Sequence, residues 1–238
     1  MRQLLRYLPC LALAALVAAC QPNTETIGRQ VGTQLQQQID STFREKPGEV
    51  AVAKMTVVHD TGHKYEGLAE IAAYGGSVPL RLSIVADLHN AIYNISPSAW
   101  TRFEQGVYAQ KLAPLTSDTH FVYSNVAIDN ATILSCFPSS LEKDKKAFAD
   151  RLDTVIPVVR RGIYFIGTGC KAHECGSEQA GWAIDSTTGR GVAIIQTADR
   201  MGGEEFSVYG TQIEQLPPPL LEWAIQSGMT DMNSVVIP

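Results

Sequence analysis

Apolar side chains recur at Ile27, Val31, Leu35 and Ile39, every fourth position of a Gln-rich stretch that runs to Lys46, Pro47 and Gly48. That period places them on one stripe of an amphipathic helix whose other faces meet water. The pattern then changes. Residues 50–58, 64–74 and 77–84 are β-type runs separated by Asp60-Thr61-Gly62 and Gly75-Gly76, and residues 89–95 offer one more. Short Asp/Gly turns between such runs predict hairpins, so the simplest arrangement is a helix leading into an antiparallel meander.

Ser96-Pro97-Ser98 interrupts this alternation, and residues 96–106 are expected as a linker because Pro and Ser disfavour continuation of helix or sheet. Beyond it, residues 119–126 and 131–137 have the composition of strands. Ser139 with Glu142 has the spacing of a capping box ahead of a helical face made by Phe148, Leu152 and Val155, which Pro157 is expected to end. Residues 158–167 form an apolar run that leads into a cysteine-bearing segment. Residues 181–184, 186–190 and 191–197 then read as strand, turn and strand, and residues 206–209 as an edge strand. Pro217-Pro218-Pro219 opens a short closing helix over residues 220–226, with Gly228 just past its end. The predicted fold class is therefore α+β: two small domains, 27–95 and 107–238, each an antiparallel sheet with packing helices.

The amino terminus has a different character. Arg2 and Arg6 precede an apolar stretch over residues 8–17, interrupted only by Pro9. A spanning helix needs about 20 apolar residues, whereas the apolar region of a signal peptide needs about 7 to 15. Val17-Ala18-Ala19-Cys20 resembles the lipobox of bacterial lipoproteins. That resemblance implies removal of residues 1–19, lipid on Cys20, a polar tether over residues 20–26 and attachment to a membrane through acyl chains. An ordinary secretory signal with a coincident cysteine is the plainer alternative. Gln21 is not the aspartate that resembles an inner-membrane retention signal, so an outer-membrane anchor facing the periplasm is expected. The helix-plus-meander layout is similar to small modules of many bacterial lipoproteins, without a motif that would assign it a function.

Removal of nineteen of the 238 residues takes Arg2 and Arg6 with it, leaving 17 Lys and Arg against 24 Asp and Glu, a formal charge of −7. Such a surface argues against nucleic acid as a partner and favours cationic ones, chiefly by speeding encounter. Of five cysteines Cys10 leaves with the signal and Cys20 is taken by lipid, so Cys136, Cys170 and Cys175 remain. In an oxidising compartment Cys170 and Cys175 are the natural pair and Cys136 is expected as a buried thiol.

Cys170-Lys171-Ala172-His173-Glu174-Cys175 is the compact cluster of reactive residue types in the mature chain, and it sits in a turn between two strand-like runs. It can be read as a stapled tip with merely solvated side chains, as a metal site, as a redox pair, or as a rigid probe aimed at a partner. Zinc would need a fourth ligand and reduced thiols, and four intervening residues depart from the spacing of thiol oxidoreductases. His59, His63, His89 and His120 are scattered without partner spacing, and Trp182 is expected to face the core, with a contact at the loop's rim as the other option. No nucleophile–base motif or phosphate-binding glycine loop appears, so neither an enzyme nor a cofactor is expected.

The segment resembles the hallmark Cys-Lys-Pro-His-Asp-Cys loop of the inhibitors of vertebrate lysozyme (Ivy), an α+β family. Around it Lys146-Ala147-Phe148, Pro157, a strand, Gly176 and a hairpin follow in a similar order, covering roughly residues 140–200. Ala172 stands where the family has proline and Glu174 where it has aspartate. The resemblance implies that the disulfide-closed loop enters the cleft of a lysozyme or related muramidase, with His173 between the two catalytic carboxyl groups and Lys171 and Glu174 beside it. A retaining glycosidase holds those carboxyls about 5 to 5.5 Å apart, a gap an imidazole can bridge by hydrogen bonds at either edge. Other uses of the same module are a non-inhibitory assembly or peptidoglycan-associated protein of the envelope, or immunity against a cell-wall hydrolase.

Overall fold

A computed structural model of the chain describes residues 22–43, 48–116, 120–198, 203–229 and 235–238. The signal segment and Cys20 lie outside these residues. The chain divides into two compact units after Val107.

In the first unit, α1 (Thr24–Phe43) buries Ile27, Val31, Leu35 and Ile39 as the four-residue period predicts. It begins inside the expected tether because Asn23 caps it: the Asn23 side-chain oxygen accepts the Glu25 amide at 2.9 Å and its carbonyl accepts the Ile27 amide at 3.0 Å. Strands β1 (Val50–Thr61), β2 (Lys64–Ala73), β3 (Gly76–Ala86) and β4 (Ala91–Asn94) form an antiparallel meander in chain order. On β3, Val78, Leu80, Leu82, Ile84 and Ala86 are buried and the residues between them face out, the signature of a sheet covered on one side only. The Gln36 amide of α1 accepts from the Val52 N–H at 2.7 Å and donates to the Val50 carbonyl at 3.2 Å, which occupies part of the exposed edge of β1.

Residues 96–106, expected as a linker, are helical: α2 spans Pro97–Lys111. Ser96-Pro97 opens the helix instead of breaking the chain. The Ser96 hydroxyl accepts the Ala99 amide at 3.2 Å, its carbonyl accepts the Ala99 and Trp100 amides, and Pro97 sits at the first helical position, where its missing N–H costs nothing. Phe103 and Val107 then pack into the core of the first unit.

The second unit departs from the sequence reading at its start. The described part of the strand expected at 119–126 is irregular chain with one isolated bridge, Tyr123 to Pro157, followed by the single-turn helix α3 (Val126–Asp129), and a second single-turn helix, α4 (Ala131–Leu134), stands where the next strand was expected. Asn130 decides this locally, because its side-chain oxygen accepts both the Thr132 and Ile133 amides and so starts a helix within an apolar run. The expected capping box is absent. Ser139–Asp144 is a 3-10 turn preceded by Pro138, with no side-chain cap, and Glu142 turns to the Lys145 ammonium at 3.8 Å. The following α5 (Lys145–Asp150) ends well before Pro157, since Thr154–Val155 (β5) pairs with the chain at Gly169 and Cys170.

The expected single run over residues 158–167 is a hairpin, β6 (Val159–Arg161) and β7 (Tyr164–Cys170), turning at Gly162 with φ 63°. Glycine at the first central position of a two-residue turn supplies the backbone twist that the flanking strands need. β8 (Gln179–Asp185), β9 (Gly191–Ala198) and β10 (Glu204–Tyr209) continue the antiparallel sheet, and the two-residue β11 (Val235–Val236) joins β10 in parallel. The fold is mixed α+β, built on one four-stranded and one seven-stranded sheet.

Unlike β3, the central strands here are buried on both faces. Phe165, Trp182, Ala193 and Ile195 pack with Phe137 and Phe148 on one side, while Ile166, Ala183, Ile194 and Phe206 meet Leu220 and Ala224 of α6 (Pro218–Gln226) on the other. That is why their sequence runs apolar without alternation.

Candidate inhibitory loop and its support

β7 ends at Cys170 and β8 begins at Gln179, and the loop between them carries the Cys170–Cys175 disulfide, with Cα atoms 4.9 Å apart. Cys170 is buried, whereas His173, Glu174 and Cys175 are exposed, so the tip projects from a fixed root. The Glu174 amide donates to the Lys171 carbonyl at 3.0 Å, closing a four-residue turn whose third residue, His173, has φ 68°. A positive φ at that position with a negative one before it is the arrangement of a type II turn. Histidine is among the non-glycine residues enriched in this region of backbone space, and the conformation turns the imidazole outward at the apex.

Lys171 and Glu174 face each other rather than empty solvent, with an ammonium to carboxylate distance of 3.0 Å. That contact raises the Lys171 pKa above its ordinary value, the hydrogen bond its ammonium donates to Glu174 being the main cause. Below the tip, the Lys171 amide donates to the Glu178 carbonyl at 2.9 Å, and the Ser177 and Glu178 amides both donate to the Glu174 carbonyl at 3.1 and 2.9 Å. Four backbone hydrogen bonds thus tie the loop to itself through Lys171, Glu174, Ser177 and Glu178.

Sequence reading missed the group beneath it. Arg151, buried at the end of α5, reaches Glu178 with one guanidinium nitrogen, and this nitrogen also donates to the Thr197 hydroxyl at 2.9 Å. Its Nε donates to the Gln196 carbonyl at 2.7 Å and its other terminal nitrogen to the Ala147 carbonyl at 2.9 Å. The second Glu178 oxygen accepts the Ala198 amide at 3.2 Å. Arg151 and Glu178 stand 27 positions apart with no local pattern joining them, so only their long-range pairing could have marked them.

The other candidates fall elsewhere. Trp182 is fully buried, its indole N–H donating to the Ser124 carbonyl at 2.9 Å, and makes no rim contact. Cys136 is buried outside the disulfide, with its sulfur 3.7 Å from the Thr132 carbonyl. His59 contacts the Gly62 carbonyl at 3.0 Å and His63 the Ala86 carbonyl at 3.2 Å, both within the first unit. Among the described residues no group of three or more His, Cys, Asp or Glu is placed to hold a metal ion.

A sheet-borne, disulfide-closed tip with a histidine at its apex defines the class of an α+β scaffold with a protruding stapled loop. Within that class, residues 137–227 match the model of the family described as inhibitor of vertebrate lysozyme (Ivy). The matched stretch runs from Phe137 past the end of α6 and contains the whole loop together with Arg151 and Glu178. The C-terminal region is accordingly similar to that family over the matched residues. Searches of curated proteins and of solved structures return no match.

Proposed function

We propose that this chain is a lipid-anchored envelope protein whose C-terminal unit inhibits a lysozyme or related muramidase by inserting the Cys170–Cys175 tip into the active-site cleft. The observation that carries the reading is the exposed His173 apex on a disulfide-closed turn inside the stretch that matches the inhibitor family. Pre-ordering the tip removes much of the entropy cost of fixing a loop in a cleft. With two catalytic carboxyls about 5 to 5.5 Å apart, the imidazole offers a nitrogen to each. The formal charge of −7 on the mature chain has the sign that speeds encounter with a basic enzyme.

The anchor in this proposal is Cys20, with the mature protein facing the periplasm from the outer membrane; Val17-Ala18-Ala19-Cys20 supports it. The test of inhibition is a turbidity assay of bacterial lysis by lysozymes of several classes, run with the chain from Gln21 onward. Inhibition of at least one class is expected at micromolar protein. None would favour the non-inhibitory envelope role or immunity against another cell-wall hydrolase.

His173→Asn is the sharper probe of the contact. Alanine at φ 68° would strain the turn as well as remove the imidazole, whereas asparagine tolerates that backbone. Losing hydrogen bonds to charged partners costs about 1.5 to 3 kcal/mol, roughly ten- to a hundred-fold in affinity, seen mainly as faster dissociation. Undiminished inhibition by His173→Asn would place the contact on another surface.

A further inference from the structure

The disulfide closes a ring from Cys170 to Cys175, but Gly176, Ser177 and Glu178 lie outside that ring and form one of the two stalks that carry it. A ring closed only at its neck remains free to swing on its stalks. What fixes the return stalk is Glu178, whose carbonyl receives the Lys171 amide at 2.9 Å and whose amide reaches the Glu174 carbonyl at 2.9 Å. Both ends of the turn that holds His173 therefore hang on the backbone of one residue.

That residue is held by its side chain. One carboxylate oxygen pairs with Arg151 and the other accepts the Ala198 amide at 3.2 Å. The guanidinium is itself anchored to carbonyls of α5 and β9 at Ala147 and Gln196 and to the Thr197 hydroxyl. Burying a guanidinium and a carboxylate in this way is costly, and two apolar side chains of similar volume would stabilise the site at least as well. They would not fix an orientation, however, as a planar guanidinium with several directed donors does.

We infer that Arg151 and Glu178 are positioning residues for His173, a buried clamp that sets the attitude of the tip independently of the disulfide. The binding part of this inference rests on the inhibitory reading above; the structural part does not.

The experiment compares the chain from Gln21 onward with its Arg151→Met/Glu178→Gln variant, which removes the clamp without stranding a buried charge; Glu178→Gln alone would leave Arg151 unpaired and could unfold the unit. Amide hydrogen exchange is read by NMR at Lys171, Glu174 and Ser177, with Ile194 and Ile195 of β9 as internal references. Loss of the clamp should speed exchange at the three loop amides by about tenfold relative to the references, as expected for weakening one or two hydrogen bonds. Loop exchange that keeps its wild-type ratio to β9 would overturn the inference, whatever lysozyme does.

The second readout is inhibition, measured in the wild-type and His173→Asn backgrounds. A clamp that acts through the apex should weaken inhibition about tenfold in the first background and add little in the second. Equal losses in both would show that the pair supports only the general stability of the unit, and would also overturn the inference. If no lysozyme is inhibited by the wild-type chain, the proposed function fails while the exchange measurement still decides the clamp.

Discussion

At the scale of the residue, the apex of the loop sets a histidine where the backbone has a positive φ. His173 sits third in a turn whose second position, Ala172, is the one that proline favours in type II geometry. The Ala172 amide has no hydrogen-bond partner among the described residues, so a ring at that nitrogen displaces nothing. Ala172→Pro should therefore stabilise the unit by about 0.4 to 1 kcal/mol by restricting the unfolded chain and, under the proposed function, should slow dissociation of the inhibited lysozyme. Thermal melting and dissociation kinetics of the variant test this, and a lowered melting temperature would show the turn to be of another type. A second residue-scale constraint lies under the loop, where Gly167 pairs across the sheet with Trp182. A Cβ at Gly167 would lie within 2.3 Å of the indole ring. Gly167→Ala should cost about 1 to 3 kcal/mol through overpacking, measured by denaturant unfolding with the loop sequence intact. An unchanged unfolding midpoint would mean that the ring has room to move.

At the scale of the element, the successful readings came from a period or a turn residue, and the failures from segments where a cap or a distant partner outweighed composition. The stripe of α1 and the alternation of β3 each need only one covered face, and both were legible. Leu35, at the centre of the α1 stripe and fully buried, gives the direct check: Leu35→Ala should destabilise the first unit by about 2 to 5 kcal/mol. The loss should appear in unfolding followed through Trp100, which packs in that core, while the exchange protection of the Cys170–Cys175 loop stays as it was. By contrast, the apolar runs at 119–126 and 131–137 resemble strands in composition yet are mainly loop and helix, because capping at Asn130 and packing of Ala127, Ile133 and Phe137 against Trp182 and Phe148 override propensity.

For the whole molecule, the question is what would hold the proposed inhibitory loop in its compartment. No helix among the described residues is long and apolar enough to cross a membrane, and the proposed anchor is covalent lipid on Cys20. Cys20→Ser should yield a chain that no longer incorporates labelled fatty acid. Continued labelling of that variant would refute the lipobox reading. Residues 137–227 account for the inhibitor-like part of the chain, and the first unit, with its own core and sheet, lies outside that stretch.

By itself the sequence determined the class of fold, the helix and meander of the first unit, the strands that frame the loop, and the loop with its cysteines and histidine. These are local features, and a period, a turn residue or a spacing of five positions carries the information within a few residues of where it acts. Local caps at Ser96 and Asn130 start helices at both places, but tertiary structure decided that those helices hold, with Phe103 and Val107 packed in the first core and Ala127 and Ile133 in the second, and that the tip stands on Arg151 and Glu178. The reason is the same in each case. A Ser-Pro pair, a short apolar run and a lone arginine each satisfy several local structures about equally. The choice among them belongs to the partners that folding brings beside them, whose contribution is absent until distant segments meet.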